Sequence, residues 1–260
     1  MSFEFHALTD RGRTRSNNED SVAVDETAAL AVLADGMGGY NAGEVASGMA
    51  TNFIRSELGR WLQEAAPHVT DVDVRRAMDI CVDNANRAIF NAANSNPQYN
   101  GMGTTLVVGV FRGGRLLLGH IGDSRGYRWR DGRLVQLTRD HSLLQEQIDA
   151  GLLTPEQAAL SNNKNLVTRA VGVEDIVLLE THLHAVQAND WFLMCSDGLS
   201  DMLDDNAIAA VLSQHNTIDN AANALVGAAN EAGGRDNIAV ILVAARSGAS
   251  VTRSWWPFKR

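Results

Sequence analysis

The sequence predicts a single α+β domain of antiparallel β-sheets, with helices packed against the outer faces of the sheets. The dipeptides Gly113-Gly114 and Asp131-Gly132 each separate two β-rich runs, as the turns of hairpins do. Strands linked by hairpins pair antiparallel, which disfavours a doubly wound parallel sheet. Neither an internal repeat nor a linker interrupts the 260 residues, so we expect one domain.

The elements follow in blocks along the chain. Strands are expected at 3–9, 20–25 and 28–35, in a meander over 104–138, within 176–196 and at 237–245. Helices are expected at 43–65, 71–94, 204–213 and 217–231. Asp71 or Asp73 is the predicted cap of the second helix. The polar segment 142–165 is expected to hold a short helix and a mobile loop.

Composition excludes several classes of protein. A net charge of −9 argues against a surface that coats nucleic acid, and the same surplus of acids suits cation binding. Cys81 and Cys195 lie far apart in apolar segments, which favours free thiols in a reducing cytoplasm over a disulfide or a zinc site. The N-terminus does not resemble a signal peptide, and no apolar run approaches the roughly 18 residues of a membrane helix.

The stretch 31–49, AVLADGMGGYNAGEVASGM, has the strand, glycine loop and helix of a phosphate cradle. The dinucleotide fingerprint fails because Asn41 stands at its last glycine position. The P-loop pattern fails because Glu44 occupies the lysine position after Gly43, and a carboxylate there would repel phosphate. Asp35 at the end of the strand adds a second negative charge. The glycine loop is therefore interpreted as presenting Asp35 to a cation.

Similar acids stand beside glycine or small polar residues at the edges of other apolar runs. The set is Asp20, Asp35, Asp123, Asp197 and Asp236. Since carboxylates are rarely buried unless paired or bound to metal, we expect a shared cation site. Oxygen ligands alone select Mg²⁺ or Mn²⁺, with Ca²⁺ as a further option. The backbone carbonyl of Gly36 can serve as another ligand, and Arg15 can bind a phosphate bidentately.

Seven short motifs occur in an order that resembles one family. They are RTRSNNED, ADGMGG, GMGTT, GDSRGYRWRDGRL, TRDHSL, SDGLSD and GGRDNIAVILV. The chain is similar to the metal-dependent serine/threonine protein phosphatases (PPM family, type 2C), and most similar to the compact bacterial members. The resemblance covers residues 3–246 and implies a four-layer αββα fold, in which two antiparallel sheets form a sandwich flanked by pairs of helices. It implies one catalytic domain over 1–246 with a flap at 143–168.

The resemblance also implies roles for the acids in a centre of two Mn²⁺ or Mg²⁺ ions. Asp35 would bridge the ions, the carbonyl of Gly36 would bind one, and Asp197 and Asp236 would bind the other. Asp20 would lie in or next to the coordination sphere. Beside it, Glu19 would contact metal-bound water.

Further roles follow from the same motifs. Asp123 with Asp197 matches the position of a third, weaker metal, and Arg15 matches the arginine that binds phosphate. The implied activity is attack on phosphoserine or phosphothreonine by a water or hydroxide that bridges the two ions. Two alternatives stay open, namely a pseudophosphatase that only binds phosphopeptides, and a hydrolase of small phosphoesters. The family implies phosphorylated proteins as partners, among them a serine/threonine kinase and its substrates.

Two features are left without a role. Some relatives carry a histidine after the DG of the glycine loop as the proposed general acid, but here Met37 stands there. A water bound to metal could supply the proton, as could His120 or His141. The aromatic and basic tail 247–260 is expected either to fray or fold back on the domain, or to dock on a partner or a membrane surface.

Overall fold

A computed structural model of the chain describes residues 1–39, 42–65, 69–154, 157–158 and 166–247. Its strands are β1 Ser2–Asp10, β2 Asp20–Asp25, β3 Leu30–Met37, β4 Gly103–Thr104, β5 Leu106–Arg112, β6 Arg115–Ile121, β7 Arg125–Arg130, β8 Arg133–Gln136, β9 Glu180–Ala185, β10 Trp191–Cys195 and β11 Ile238–Arg246. Its α-helices are α1 Ala42–Glu64, α2 Asp71–Ser95, α3 Leu143–Asp149, α4 Asp197–Ser200, α5 Asp205–Ser213 and α6 Ile218–Glu231, and a 3₁₀ turn spans Pro97–Tyr99.

The strands form two sheets, and neighbouring strands in each sheet run antiparallel. One sheet has the order β1-β11-β10-β7-β8, and the other has the order β2-β3-β5-β6-β9 with β4 paired to β3. Both hairpin predictions are confirmed, because β5 pairs with β6 around Gly113-Gly114 and β7 pairs with β8 around Asp131-Gly132. All four turn residues have positive φ, from 50° to 76°, which suits two-residue hairpin turns.

Three apolar cores separate four layers. The middle core lies between the sheets and includes Leu33, Phe111 and Ile241. Alternate residues of the same strands, such as Val32, point to the opposite face and pack against α1 and α2. The third core joins the first sheet to α5 and α6. The predicted αββα sandwich is therefore confirmed, and burial on both faces explains why β3 reads as a continuous apolar run.

Several boundaries differ from those predicted. The predicted strand 28–35 begins later, at Leu30, because a turn with Ala29 at φ 49° precedes it. It continues to Met37, because Gly36 and Met37 pair with β4. The cap of α2 is Thr70, and Asp73 is its capping-box partner, so the prediction of Asp71 or Asp73 as cap is wrong.

Part of the flap and nearly all of the tail lie outside the described residues. The short helix expected within 142–165 is α3, which begins after the cap residue Ser142. The mobile loop expected there falls largely on 155–156 and 159–165, and the tail 247–260 falls on 248–260 apart from its first residue, so both stay predictions. No helix in the described part of the chain is long and apolar enough to cross a membrane.

Candidate metal centre

The register of β2 against β3 brings the first two predicted acids together. Asp20 stands directly opposite Asp35 in this antiparallel pair. Asp20 Oδ2 accepts a hydrogen bond of 2.7 Å from Ser196 Oγ, while Asp20 Oδ1 is buried without a hydrogen-bond partner among the described residues. Burial raises the pKa of Asp20 to about 7. Burial, followed by repulsion from Asp20 and Asp197, raises the pKa of Asp35 well above its ordinary value.

Two more acids join the cluster from positions just after strands of the sandwich. Asp197 begins α4 directly after β10, and Asp123 follows β6. Burial and then the charge of Asp123 raise the pKa of Asp197 well above its ordinary value. Burial and then the charge of Asp140 raise the pKa of Asp123 to about 6. Asp123 and Asp197 line one cavity of about 570 Å³, so the structure brings together the two residues matched to a third metal.

Asp236 and Arg15 meet across 221 residues of sequence. Arg15 Nη2 donates to Asp236 Oδ2 at 2.6 Å, and this hydrogen bond raises the pKa of the half-exposed guanidinium. The charges of Glu19 and Asp197 also contribute to that pKa. All predicted site residues therefore lie around one edge of the sandwich, at the starts of β2 and β11 and the ends of β3, β6 and β10.

Gly36 is required by close packing. A Cβ on this residue would lie 2.1 Å from the carbonyl oxygen of Gly43 and 2.6 Å from that of Glu19. Its amide donates to Glu19 O at 3.1 Å, so the loop that carries Glu19 is tied to the strand that carries Asp35. These contacts explain the glycine by themselves, and its role as a carbonyl ligand stays a prediction.

Sequence reasoning missed the residues that hold these acids in place. Asn237 accepts from the backbone of Glu19 at 2.8 Å and donates to the carbonyls of Arg11 and Asn17 at 2.9 and 2.8 Å. It thereby ties the 11–19 loop to the start of β11 at three points. The motif GGRDNIAVILV contains Asn237, so its position directly after a predicted ligand was the available signal.

The two threonines of GMGTT form a second support, around Asp35. Thr104 Oγ1 donates to the carbonyl of Asp35 at 2.8 Å. The backbone amide of Thr105 donates to the same carbonyl at 2.8 Å, and Thr105 Oγ1 accepts from the amide of Asp35 at 3.0 Å. Because the amide and the carbonyl of Asp35 are both hydrogen-bonded in this way, the backbone position from which its carboxylate extends is fixed.

The histidines considered as proton donors are buried and engaged elsewhere. His120 Nε2 lies 2.8 Å from the carbonyl of Arg139. His141 Nδ1 accepts from the amide of Gly122 at 3.1 Å, and its Nε2 lies 3.1 Å from Glu180 Oε2. Potential ligand atoms of His120, His141 and Glu180 lie within 4.8 Å of one another. However, a nitrogen that accepts from Gly122 places the proton of His141 on Nε2, which leaves no free lone pair there for a cation.

The acid cluster fits hard divalent cations. Buried Asp20 lies beside half-buried Asp35 and Asp197, and burial and mutual repulsion raise the pKa values of all three. One oxygen of Asp20 has no hydrogen-bond partner in the described part of the chain. Cations would remove this repulsion, and an all-oxygen donor set selects Mg²⁺ or Mn²⁺. An arginine beside such a centre suits a phosphoryl group. Fold and site together define a metal-dependent phosphatase.

Comparison with known proteins gives the family. Residues 9–225 match the family model described as Protein phosphatase 2C. The chain is 37% identical over 246 residues to the serine/threonine phosphatase stp of Listeria monocytogenes, covering 94% of this chain and 95% of that one. It is 39% identical to the serine/threonine protein phosphatase PstP of Mycobacterium tuberculosis, covering 93% of this chain and 45% of the relative.

Solved structures agree with this result. The crystal structure of Mycobacterium tuberculosis PstP/Ppp has a TM-score of 0.86 and 38% identity, covering 95% of this chain and 100% of that one. The catalytic domain of a PstP in complex with two manganese ions has a TM-score of 0.83 and 37% identity, covering 94% and 99%. The chain belongs to the protein phosphatase 2C family, and it is a metal-dependent serine/threonine phosphatase.

Proposed function

We propose that this protein removes phosphate from phosphoserine and phosphothreonine in other proteins, using two Mn²⁺ or Mg²⁺ ions. Asp35, the carbonyl of Gly36, Asp197 and Asp236 would hold these ions, with Asp20 beside them. The observation that carries the proposal is the group of buried and half-buried carboxylates that repel one another, with an oxygen of Asp20 that has no hydrogen-bond partner among the described residues. Asp123 would help Asp197 to hold a third ion.

When bound, the cations lower the pKa of a water in the site and offset the charge of the phosphoryl group. Arg15 contributes on the protein side. Its guanidinium is half exposed, and one nitrogen is held by Asp236 at 2.6 Å, so the remaining donors can bind two phosphoryl oxygens. The ion pair with Asp236 orients the arginine toward the place where the phosphate must lie, which reduces the entropy lost on binding. Glu19, fixed by Asn237 through its backbone, would bind water at the cluster.

The leaving alkoxide needs a proton, and we assign this step to water in the open site. Met37 has no proton to donate. His141 and His120 are buried and bonded to Glu180 and to the carbonyl of Arg139. Replacement of either histidine should therefore alter packing more than it alters the alkaline limb of the pH–rate profile, the limb on which a general acid would act.

The substrates are phosphorylated proteins of the same cell, including a serine/threonine kinase and its targets. Support comes from relatives that are named as serine/threonine phosphatases. The match to one of them covers 94% of this chain and 95% of the relative. We place the protein in the cytoplasm, because Cys81 and Cys195 are free and no pair of thiols is available for a disulfide among the described residues.

Metal-dependent turnover tests the proposal. Purified protein stripped with EDTA is assayed with p-nitrophenyl phosphate and with a phosphothreonine peptide, before and after addition of Mn²⁺. We expect turnover only with Mn²⁺, and a loss of at least about a hundredfold in Asp197→Asn. Asp131→Asn is the matched control, because this exposed turn residue at φ 50° tolerates asparagine equally well.

Two other outcomes would each indicate a different function, and a third would refute the assigned metal centre. Binding of the phosphopeptide without turnover at saturating Mn²⁺ would identify a pseudophosphatase. Turnover of small phosphoesters without turnover of peptides would identify a small-molecule hydrolase. Equal activity of Asp197→Asn and the wild type would refute the assigned centre.

A further inference from the structure

A groove of about 570 Å³ opens beside the acid cluster, and no step of the mechanism above uses it. Its lining includes Met37, Arg169, Val173, Glu174, Ile176 and Leu178. We call this feature the 173–178 groove. Met37 ends β3 and lies two residues after Asp35, so one end of the groove adjoins the centre.

Hydrogen bonds attach the wall of the groove to the backbone of Asp35. Thr104, whose hydroxyl donates to the carbonyl of Asp35, also exchanges two backbone bonds of 3.0 and 2.8 Å with Val171. Val173 then packs against Gly103, where an added Cβ would lie 2.6 Å from Val173 Cγ2. The position of the wall is therefore set by the same residues that set the position of Asp35.

A buried asparagine holds the wall in its conformation. Asn86 on α2 is fully buried, and its amide donates to the carbonyls of Glu174 and Asp175 at 2.9 and 3.1 Å. Its Oδ1 accepts from the amide of Gly172 at 2.6 Å. Because these groups are satisfied inside the protein, the groove exists before any ligand binds, which lowers the entropy cost of binding.

The groove offers apolar contact. Val173, Ile176 and Leu178 expose 51%, 64% and 74% of their surface, although such side chains usually avoid water. Arg169 and Glu174 bring opposite charges, so the lining has no net preference for an acidic or a basic ligand. The cavity lined by Asp123 and Asp197 differs from this groove. Aspartates dominate its lining and would repel a phosphorylated or acidic chain.

We propose that the 173–178 groove binds the stretch of substrate polypeptide that flanks the phosphorylated residue, and that it selects apolar side chains there. A serine or threonine phosphate that reaches Asp35 and Arg15 brings its neighbours along the polypeptide within a few ångströms of Met37. On that side they meet the groove, and burial of an apolar side chain against Val173 and Ile176 favours binding. The inference rests on the proposed function and adds a sequence preference to it.

Two phosphopeptides and one small substrate test the inference. The peptides have the same length and the same phosphothreonine, and differ only in having leucine or serine at the flanking positions; p-nitrophenyl phosphate has no flanking residues. We expect the wild type to show a kcat/KM about tenfold higher for the leucine peptide, the discrimination expected of a modest apolar pocket. Ile176→Asp should lose this preference while its turnover of p-nitrophenyl phosphate is unchanged.

Ile80→Asp on α2 is the matched control, because Ile80 is similarly exposed, at 55%, and lies outside the groove lining. It should keep the preference, and Leu178→Asp should repeat the effect of Ile176→Asp if that variant folds poorly. An equal kcat/KM for both peptides in the wild type, or an unchanged preference in both groove variants, would overturn the inference.

Failure of the proposed function is a separate result. Binding of the two fluorescent peptides, measured by anisotropy, needs no turnover. If the wild type hydrolyses nothing with Mn²⁺, the proposed function fails, while a binding preference for the leucine peptide that Ile176→Asp abolishes would still support the groove. If binding also shows no preference, both fail.

Discussion

Replacement of Asp20 by asparagine should stabilise the metal-free protein while weakening its response to metal. Asparagine has nearly the same shape, and its Oδ1 can accept the hydrogen bond that Ser196 Oγ donates to Asp20 at 2.7 Å. Its Nδ2 would replace the carboxylate oxygen for which the described residues offer no hydrogen-bond partner, and it could donate to Asp35, which stands opposite in the register. The variant therefore removes a buried negative charge without opening a cavity.

The pKa of Asp20 gives the magnitude. Burial raises this pKa from an ordinary value of 3.8 to about 7. Since a tenfold change in proton affinity corresponds to about 1.4 kcal/mol, ionised Asp20 costs the folded state up to about 4 kcal/mol above pH 7. The folded state holds this proton more tightly than the unfolded state, so the free energy of unfolding falls as pH rises from about 4 to about 7. Asparagine removes that cost.

Urea denaturation in EDTA at pH 5 and pH 8 measures the effect. We expect Asp20→Asn to exceed the wild type by about 2–4 kcal/mol at pH 8 and by much less at pH 5. Addition of Mn²⁺ should stabilise the wild type strongly and the variant weakly, by mass action on the folded state. A variant no more stable than the wild type at pH 8 would refute the view that uncompensated carboxylate charge destabilises this site.

Three further predictions concern other parts of the molecule. Asp190→Ala should lower the free energy of unfolding, measured in urea, by about 3 kcal/mol. The reason is that Arg130 donates two hydrogen bonds of 2.6 Å to the buried Asp190 carboxylate and would lose this partner. A loss below about 1 kcal/mol would contradict this. Gly36→Ala should lower Mn²⁺-dependent kcat at least about tenfold, because its Cβ would lie 2.1 Å from Gly43 O; unchanged kinetics would show that the loop yields freely. Arg15→Ala should raise KM for phosphorylated substrates more than it weakens Mn²⁺ binding in calorimetry, and the reverse order would refute its role.

Sequence patterns predicted the fold well where local chemistry decides it. Gly113-Gly114 and Asp131-Gly132 predicted hairpins because few other residues accept positive φ at both turn positions. The ends of helices and strands were predicted less accurately where a tertiary contact decides them. The strand that carries Asp35 runs two residues further than predicted because the distant β4 pairs with it. Similarly, Asp73 is a capping partner because Thr70 precedes it in the correct conformation.

The candidate acids were found because acids beside buried strands need a reason to be there. Their partners were harder to find. Asn237 bonds to the backbone of a loop more than 200 residues away, and Arg15 pairs with Asp236 over a similar separation. No local pattern encodes such contacts, since they form only after β1 has paired with β11 from the opposite end of the chain. The 173–178 groove was missed for the same reason.

The most direct test of the metal centre is a crystal soaked in Mn²⁺ and measured at the manganese absorption edge, where anomalous scattering counts and locates the ions. We predict two strong peaks between Asp35, Asp197 and Asp236, with Asp20 next to them, and a weaker third peak between Asp123 and Asp197. Absence of peaks among these aspartates at saturating Mn²⁺, or a dominant peak at His120, His141 and Glu180, would contradict the centre proposed here.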